Sequence, residues 1–385
     1  MKRILMISDV FFPRVNGVST SIATFRAALR KLDVEVRLLV PRYGTEAESD
    51  GITRVRSRSV PRDPEDRLVG WGAMHEAALH EAAKCDLVHV QTPFIAHYAG
   101  KAAARAKGLP LVLTYHTFFE EYLHHYAPFL PASALRALAR GVSRTQCNEV
   151  DAVVVPSTAM QDRLARYGVR TPLHVLPTGI PLDEFGNGDR DGFRRAHQIP
   201  PDASVALFIG RVAHEKNIGF LIEVARLVSA KLPRFQLLIA GEGPALADLR
   251  QSVERSGLQS VVRFTGYLER TRNLRDCYAA ADAFVFASRT ETQGLVLLEA
   301  MAAGLPVVAL AAMGTIDILA AGRGALVPDD NVIAFACALR GLLTDEPCRR
   351  RLAAEALLYS REWEDSAMAS RLAALYVRLI DGGRN

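Results

Sequence analysis

No run of about 20 apolar residues occurs anywhere in the chain, so hydropathy argues against a membrane-crossing helix. Cysteine is scarce. The five, at positions 85, 147, 277, 337 and 348, are odd in number and lack C-x-x-C spacing. That argues against a disulfide frame or a zinc site and reads as reduced thiols in a cytosolic protein. The N-terminus reaches Asp9 after one short apolar run and has no small-residue cleavage site, which argues against a secretory leader. Neither G-x-G-x-x-G nor a Walker A loop is present, which lowers the case for a dehydrogenase or an NTPase. No short-period repeat suggests a solenoid. The sequence pI of about 9.0 invites nucleic acid, yet no basic motif interleaved with aromatics is found, and we expect no nucleic-acid partner.

What is present is an ordinary globular composition, 49% hydrophobic and 23% charged, over 385 residues. Single cores stop growing near ~250–300 residues, so two domains are expected. Charge divides them. Residues 1–180 carry 23 Lys/Arg against 17 Asp/Glu, and the remainder 24 against 25, so the whole basic excess lies in the first half.

Short β-branched runs alternate with helical patterns. The runs Arg3–Ser8, Glu35–Val40, Leu87–Gln91, Leu111–Tyr115, Ala152–Val155 and His174–Leu176 predict strands, with helices such as Ser21–Leu32 and Met74–Ala83 between them. The pattern restarts with Ala206–Gly210, Phe235–Ala240, Val261–Thr265, Ala283–Phe286 and Pro306–Ala309, again interleaved with helices such as Phe220–Lys231. Buried runs separated by helices predict parallel sheets covered on both faces. The proline- and glycine-rich stretch Pro177–Gly192 reads as a linker, placing the junction near residues 178–195.

Ligands of open parallel sheets sit beyond the carboxyl ends of strands, so the polar residues following each strand matter most. ETQGLVLLEAMAAG, residues 291–304, starts a helix at Gly294, whose free amides suit a diphosphate. Glu291 precedes that helix and Glu299 lies inside it. The pair could hold separate hydroxyl-bearing parts of a nucleotide-sugar, or be two surface acids. Arg211 and Lys216 follow a strand, with Gly210 permitting close approach; they could meet a departing diphosphate or be two solvated cations. His116 ends a strand in the first half, where it could orient a sugar hydroxyl or simply satisfy sheet-end backbone groups. His124 and His125 are weaker candidates. The turn at Asn16 and Gly17 could approach a phosphate or sugar. Asp189-Arg190-Asp191 spells the D-x-D of metal-dependent sugar transferases, but it falls in the expected linker and reads as solvated. Arg136, Arg140 and Arg144 recur every four residues beside Phe129, Leu130, Leu135 and Leu138, giving a basic amphipathic helix that could lie on anionic lipid or merely face water.

Taken in order, GRVAHEKN, IAGEGP, VRFTGYL and SRTETQGLVLLEAMAAGLPVVAL, with SDVFFPRVNGVST and His116 before them, resemble the retaining GT-B glycosyltransferases over nearly the whole chain. YHTFFEEYLHHY and TETQGLVLLEAM are closest in wording to diacylglycerol glucosyltransferases and their lipid-acceptor relatives. The resemblance implies an α/β GT-B fold, with two doubly wound Rossmann-like domains facing across a cleft. Residues 1–180 would bind acceptor and residues 181–365 donor, while a C-terminal helix near 366–385, following Trp363, returns to the first domain. It implies that Arg211 and Lys216 bind the diphosphate, Glu291 the hexose and Glu299 the ribose. Leu295 and Val296 would offer amides to the phosphates, Gly266 and Tyr267 would line the base pocket, His116 would lie beside the anomeric carbon, and Gly17 beside the donor phosphate or sugar. Two departures stand out: Asp317 where relatives carry glutamate, and Thr292-Gln293 in place of an aromatic-containing form.

The expected activity is retaining, metal-independent transfer of a hexose to an acceptor hydroxyl, with no cofactor beyond the donor. UDP-glucose is the first donor and a membrane lipid such as diacylglycerol the first acceptor, with His116, Arg211, Lys216 and Glu291 as the catalytic set. GDP-mannose with a polysaccharide or soluble acceptor is the alternative, and a nucleotide-sugar epimerase a further rival. The expected location is cytoplasmic, peripheral on the inner face of the membrane through Arg136, Arg140 and Arg144.

Overall fold

The computed structural model describes residues 1–47, 49–60, 63–116, 132–269 and 273–382. The expectations for Phe118–Phe129, including His124 and His125, and for Leu130 fall outside those residues. The chain forms two compact units: Met1–Gly179 with Asp365–Asn385, and Ile180–Glu364.

The first unit is built on a seven-stranded sheet of order β3-β2-β1-β6-β7-β8-β9. Its strands are β1 (Lys2–Ile7), β2 (Val34–Pro41), β3 (Ile52–Val55), β6 (Leu87–Val90), β7 (Leu111–Thr114), β8 (Ala152–Val155) and β9 (Leu173–Val175). Every pairing is parallel. An antiparallel hairpin, β4 (Ser57–Val60) with β5 (Asp63–Val69), lies apart. β3 and β4, short and only partly buried, escape the sequence pattern, as does the charge-rich β5.

On one face of this sheet Ile4, Met6, Val112 and Val154 form a core with Ile22 and Phe25 of the helix Gly17–Arg30 and with Leu372 and Tyr376 of the helix Asp365–Gly382. On the other face the helix Ile95–Lys107 comes close at Gly100, where a Cβ would stand 2.6 Å from Val90 Cγ2 and 3.3 Å from Ile7 Cδ1. The helix Gly17–Arg30 begins four residues before the expected Ser21. Asn16 closes a capping box with Ser19, each side chain bonding the other's backbone amide at 2.9 Å.

The second unit carries a six-stranded parallel sheet, β12-β11-β10-β13-β14-β15. Its strands are β10 (Ser204–Ile209), β11 (Phe235–Ala240), β12 (Val262–Gly266), β13 (Ala283–Phe286), β14 (Val307–Ala309) and β15 (Ala325–Leu326). Their side chains are mostly buried, as a sheet with helices on both faces requires, with the edge strand β12 only partly so.

The junction between the units falls at Gly179–Ile180, but the reading of Pro177–Gly192 as a linker does not hold beyond it. Residues from Ile180 onward belong to the second unit, with a 3-10 turn at Leu182–Glu184 and a helix at Arg190–Ala196. Asp189 and Asp191 are exposed, in keeping with the solvated reading of that stretch, although it is held in place. Asp189 caps that helix by accepting the Gly192 amide at 2.8 Å, and Arg190 pairs with Asp282 at 2.7 Å. Buried Arg194 completes the anchor, bonding Asp282 and the carbonyls of Ala280, Pro200, Pro201 and Ala203. The glycines and prolines shape the entry to a folded element there.

Candidate functional site

In the second unit strand order reverses between β10 and β13, the place where a doubly wound sheet opens a crevice at its carboxyl edge. The loops leaving those two strands are tied together. Asn217 Nδ2 donates to the Ala287 carbonyl at 3.1 Å, and Ser288 Oγ donates to the Glu215 carbonyl at 3.2 Å. Between them Lys216 Nζ and Glu291 Oε1 form a close ion pair, both side chains largely buried. Arg211 stands nearby in sequence but is half-exposed, 3.6 Å from Glu215. The loop thus holds one cation against Glu291 and leaves another towards solvent.

The bend after Glu291 is fixed by close backbone packing. Gly314 donates its amide to the Glu291 carbonyl at 2.9 Å, and a Cβ on Gly314 would overlap the Thr292 carbonyl oxygen. Gly294 then takes φ 93°, a left-handed conformation that glycine adopts without penalty. It opens the helix Leu295–Ala302 as an N-cap with no side-chain hydrogen bond of its own to the first amides, those of Leu295 and Val296. Glu299, five residues into that helix, is buried and accepts from Tyr278 Oη at 3.0 Å.

The neighbouring strand ends are equally tight. Gly210 donates to the Ala240 carbonyl, Gly241 to the Gly266 carbonyl and Val212 to the Glu242 carbonyl, at 2.8–3.0 Å. A side chain on Gly241 would collide with the Gly210 carbonyl. Gly266 (φ 75°) ends β12, and Tyr267 beside it is exposed. The structure therefore gathers Gly210, Arg211, Lys216, Gly266, Tyr267, Glu291, Gly294, Leu295, Val296 and Glu299 on one unit, most of them at the carboxyl edge. Asp317 lies in the first turn of the short helix Thr315–Leu319. Gly314 and Asn217 are supporting residues that sequence reasoning missed. Each lies in the loop after a strand, Gly314 after Val307–Ala309 and Asn217 after Ser204–Ile209, and that position is the signal they carry.

In the first unit the order reverses between β1 and β6, and again the two loops interlock. Asp9, after β1, accepts from Thr92 Oγ1 at 2.7 Å and from the Ala96 amide at 3.1 and 3.2 Å. Burial raises its carboxyl to about 6, against the pull of those hydrogen bonds. His116 follows β7, and its Nε2 lies 2.9 Å from Gln91 Oε1. Burial pushes the His116 imidazole down to about 4, so it is neutral at pH 7. Space beside Gly17 is open: nothing lies within 4 Å of where a Cβ would stand. On the helix Ala132–Cys147, Arg136, Arg140 and Arg144 are exposed, as are Leu138 and Val142. Among the described residues no group of three His, Cys, Asp or Glu is placed to hold a metal ion, and no helix is long and apolar enough to cross a membrane.

Comparison with known proteins agrees with these two units. The chain matches the family model Glycosyltransferase Family 4 over residues 15–184 and the model Glycosyl transferases group 1 over residues 189–358. The alpha-monoglucosyldiacylglycerol synthase of Streptococcus pneumoniae is 31% identical over 316 residues, which cover 80% of this chain and 70% of that one. The GDP-mannose-dependent alpha-mannosyltransferase of Mycolicibacterium smegmatis is 29% identical over 381 residues, 94% of each. Among solved structures, Anabaena HepE in complex with UDP and glucose superposes with a TM-score of 0.78 at 18% identity, covering 98% of this chain and all of that one. That last likeness is one of fold: two Rossmann-like units of the GT-B kind.

Proposed function

We propose a specific reaction for this chain, which belongs to the group 1 glycosyl transferases: retaining transfer of a hexose from a nucleoside diphosphate sugar to a lipid hydroxyl, without a metal. UDP-glucose is the proposed donor, bound by the second unit, and a diacylglycerol-type lipid the proposed acceptor, bound by the first. The observation that carries the reading is the Lys216–Glu291 pair beside the uncapped start of the helix Leu295–Ala302, at a strand-order reversal. With donor present, Lys216 and Arg211 turn to the diphosphate together with the amides of Leu295 and Val296. Glu291 is released to a hexose hydroxyl, and Glu299 serves the ribose. Gly210, Gly266 and Tyr267 flank the nucleoside, and Gly17 and His116 serve the sugar side.

In the reaction the bond from the anomeric carbon to the diphosphate oxygen breaks. The acceptor oxygen bonds to that carbon on the same face, and its proton passes to the departing diphosphate. Charge develops on the leaving group, which fixed cations and amides stabilise without reorganisation. A Lys216→Ala enzyme should lose roughly 10²–10³ in kcat at saturating donor, by analogy with a lost oxyanion donor. Full turnover in that variant would remove Lys216 from the site.

Lipid as acceptor is supported by the pneumococcal relative's name and by the exposed Arg136, Arg140, Arg144, Leu138 and Val142, which suit a peripheral contact with anionic headgroups on the cytoplasmic face. A second reading, mannosyl transfer from GDP-mannose, is favoured by the nearly full-length mycobacterial relative. Labelled UDP-glucose and GDP-mannose, each offered diacylglycerol vesicles or soluble glycans with and without EDTA, separate the two. An α-glucolipid formed from UDP-glucose in EDTA is the expected product. Transfer from GDP-mannose alone selects the second reading, and donor turnover without acceptor points to an epimerase.

A further inference from the structure

Two histidines lie on one face of the first unit's sheet and are bound differently. His89 on β6 is fully buried and uses both ring nitrogens: Nδ1 is 2.6 Å from Tyr376 Oη and Nε2 is 2.6 Å from Thr114 Oγ1. Gln91 and His116 lie two residues beyond His89 and Thr114, just past the ends of β6 and β7, where the bonds from the Gln91 amide to the Ile7 carbonyl and from the Tyr115 amide to the Val154 carbonyl continue the ladder and keep them towards that same face at the carboxyl edge. There His116 uses only one nitrogen, Nε2, against Gln91 Oε1. Its Nδ1 has no hydrogen-bond partner among the described residues. The Gln91 side chain is almost completely buried, and its backbone amide is fixed at 2.9 Å to the Ile7 carbonyl. The next residue, Thr92, is held by Asp9.

We infer that Gln91 is a positioning residue which fixes His116 as the Nε2–H tautomer, so that Nδ1 presents a lone pair to a hydroxyl of the substrate. This rests on the glycosyl-transfer reading for its substrate but on the buried amide for its geometry. A carbonyl oxygen can only accept, so the proton of a neutral ring is placed on Nε2 and an acceptor is left on Nδ1. The reaction, as proposed, needs such an acceptor to orient a hydroxyl and does not need a cation there. The titratable neighbour on the same face, His89, is itself neutral, and burial holds His116 neutral well below pH 6.

Long-range proton–nitrogen NMR of histidine-labelled protein at pH 7.5 tests the tautomer directly. We expect a pyrrole-type Nε2 and a pyridine-type Nδ1 for His116. Gln91→Leu should mix the two tautomers. With labelled donor it should lower kcat about tenfold, leave the donor KM within about twofold, and cause no further loss on a His116→Ala background. Gln91→Glu, whose carboxylate stabilises an imidazolium, should raise the acid limb of the kcat profile by at least one pH unit. A wild-type ring protonated on Nδ1, or an acid limb unmoved in Gln91→Glu, overturns the inference even if hexose transfer is confirmed. Absence of transfer with an Nε2–H ring in place would instead remove the functional reading and leave the tautomer assignment standing.

Discussion

At the residue scale, Asp9 and His116 show how burial sets charge at the edge of a sheet. The carboxyl of Asp9, raised to about 6, is well above the ~3.9 of an unfolded chain. A group with that shift contributes its full stability below about pH 4 and loses it as pH rises through 6. Asp9→Asn, which keeps an acceptor for Thr92 and Ala96 but removes the charge, should therefore melt higher than wild type at pH 7.5. The gap should narrow as pH falls through 6 and close only below about pH 4. A lower melting temperature at pH 7.5 would mean that the hydrogen bonds outweigh desolvation, the reverse of the balance assigned to it. Asp9 was visible in the sequence as the polar residue after the first strand. Its grip on Thr92 and Ala96 was not, because those partners lie more than 80 positions away.

At the scale of elements, the site depends on loops that cannot deform. Gly314 adopts φ outside the left-handed region, so no backbone requirement explains a glycine there; space does. A methyl group at this position would push on the Thr292 carbonyl and shift the bend between Glu291 and Gly294. Gly314→Ala should raise the donor KM at least several-fold. The change in melting temperature should be small by comparison, since the helix Thr315–Leu319 is short and keeps its Thr315 bonds to the carbonyls of Leu310 and Ala312. An unchanged KM would show that the Thr292 bend relaxes freely. The strands were legible because their apolar runs are continuous and bounded by polar turns. The helix start at Gly17 was misplaced because Asn16 and Ser19 cap each other, a local exchange that hydrophobic periodicity does not register. The helix Arg190–Ala196 was missed for another reason: its glycine- and proline-rich approach resembles a linker, and Arg194 reveals its anchor only through Asp282 and four carbonyls distant in sequence or in turn.

At the scale of the whole molecule, the two units divide the acid-sensitive groups unequally. His89, His97 and His116, all in the first unit, are pushed down by burial to about 3, 4 and 4. Unfolding lets each return to about 6.5 and take up a proton, so this stability is present above pH 6.5 and is lost as pH falls towards 4. It runs opposite to Asp9 in that window, and burial lowers His174 of the same unit in the same direction. Among the described residues, the second unit carries one shifted histidine, the partly buried His197. Hydrogen exchange at pH 5 and pH 7.5 should therefore show protection lost first in Met1–Gly179 and Asp365–Gly382. Equal loss in both units would contradict the assignment.

The order of apolar runs and polar turns along the chain determined two parallel α/β units, and which residues follow each strand, because alternation and burial are local properties of sequence. It also held enough of the glycine and glutamate spacing to place Glu291, Gly294 and Glu299 about one helix. Only the tertiary structure decided that Lys216 meets Glu291, that Gln91 meets His116, and that the last helix brings Tyr376 to His89 across 287 positions. Those meetings depend on strand order within each sheet. Strand order is set by how crossover helices cover the two faces, a packing property that no stretch of the chain carries alone.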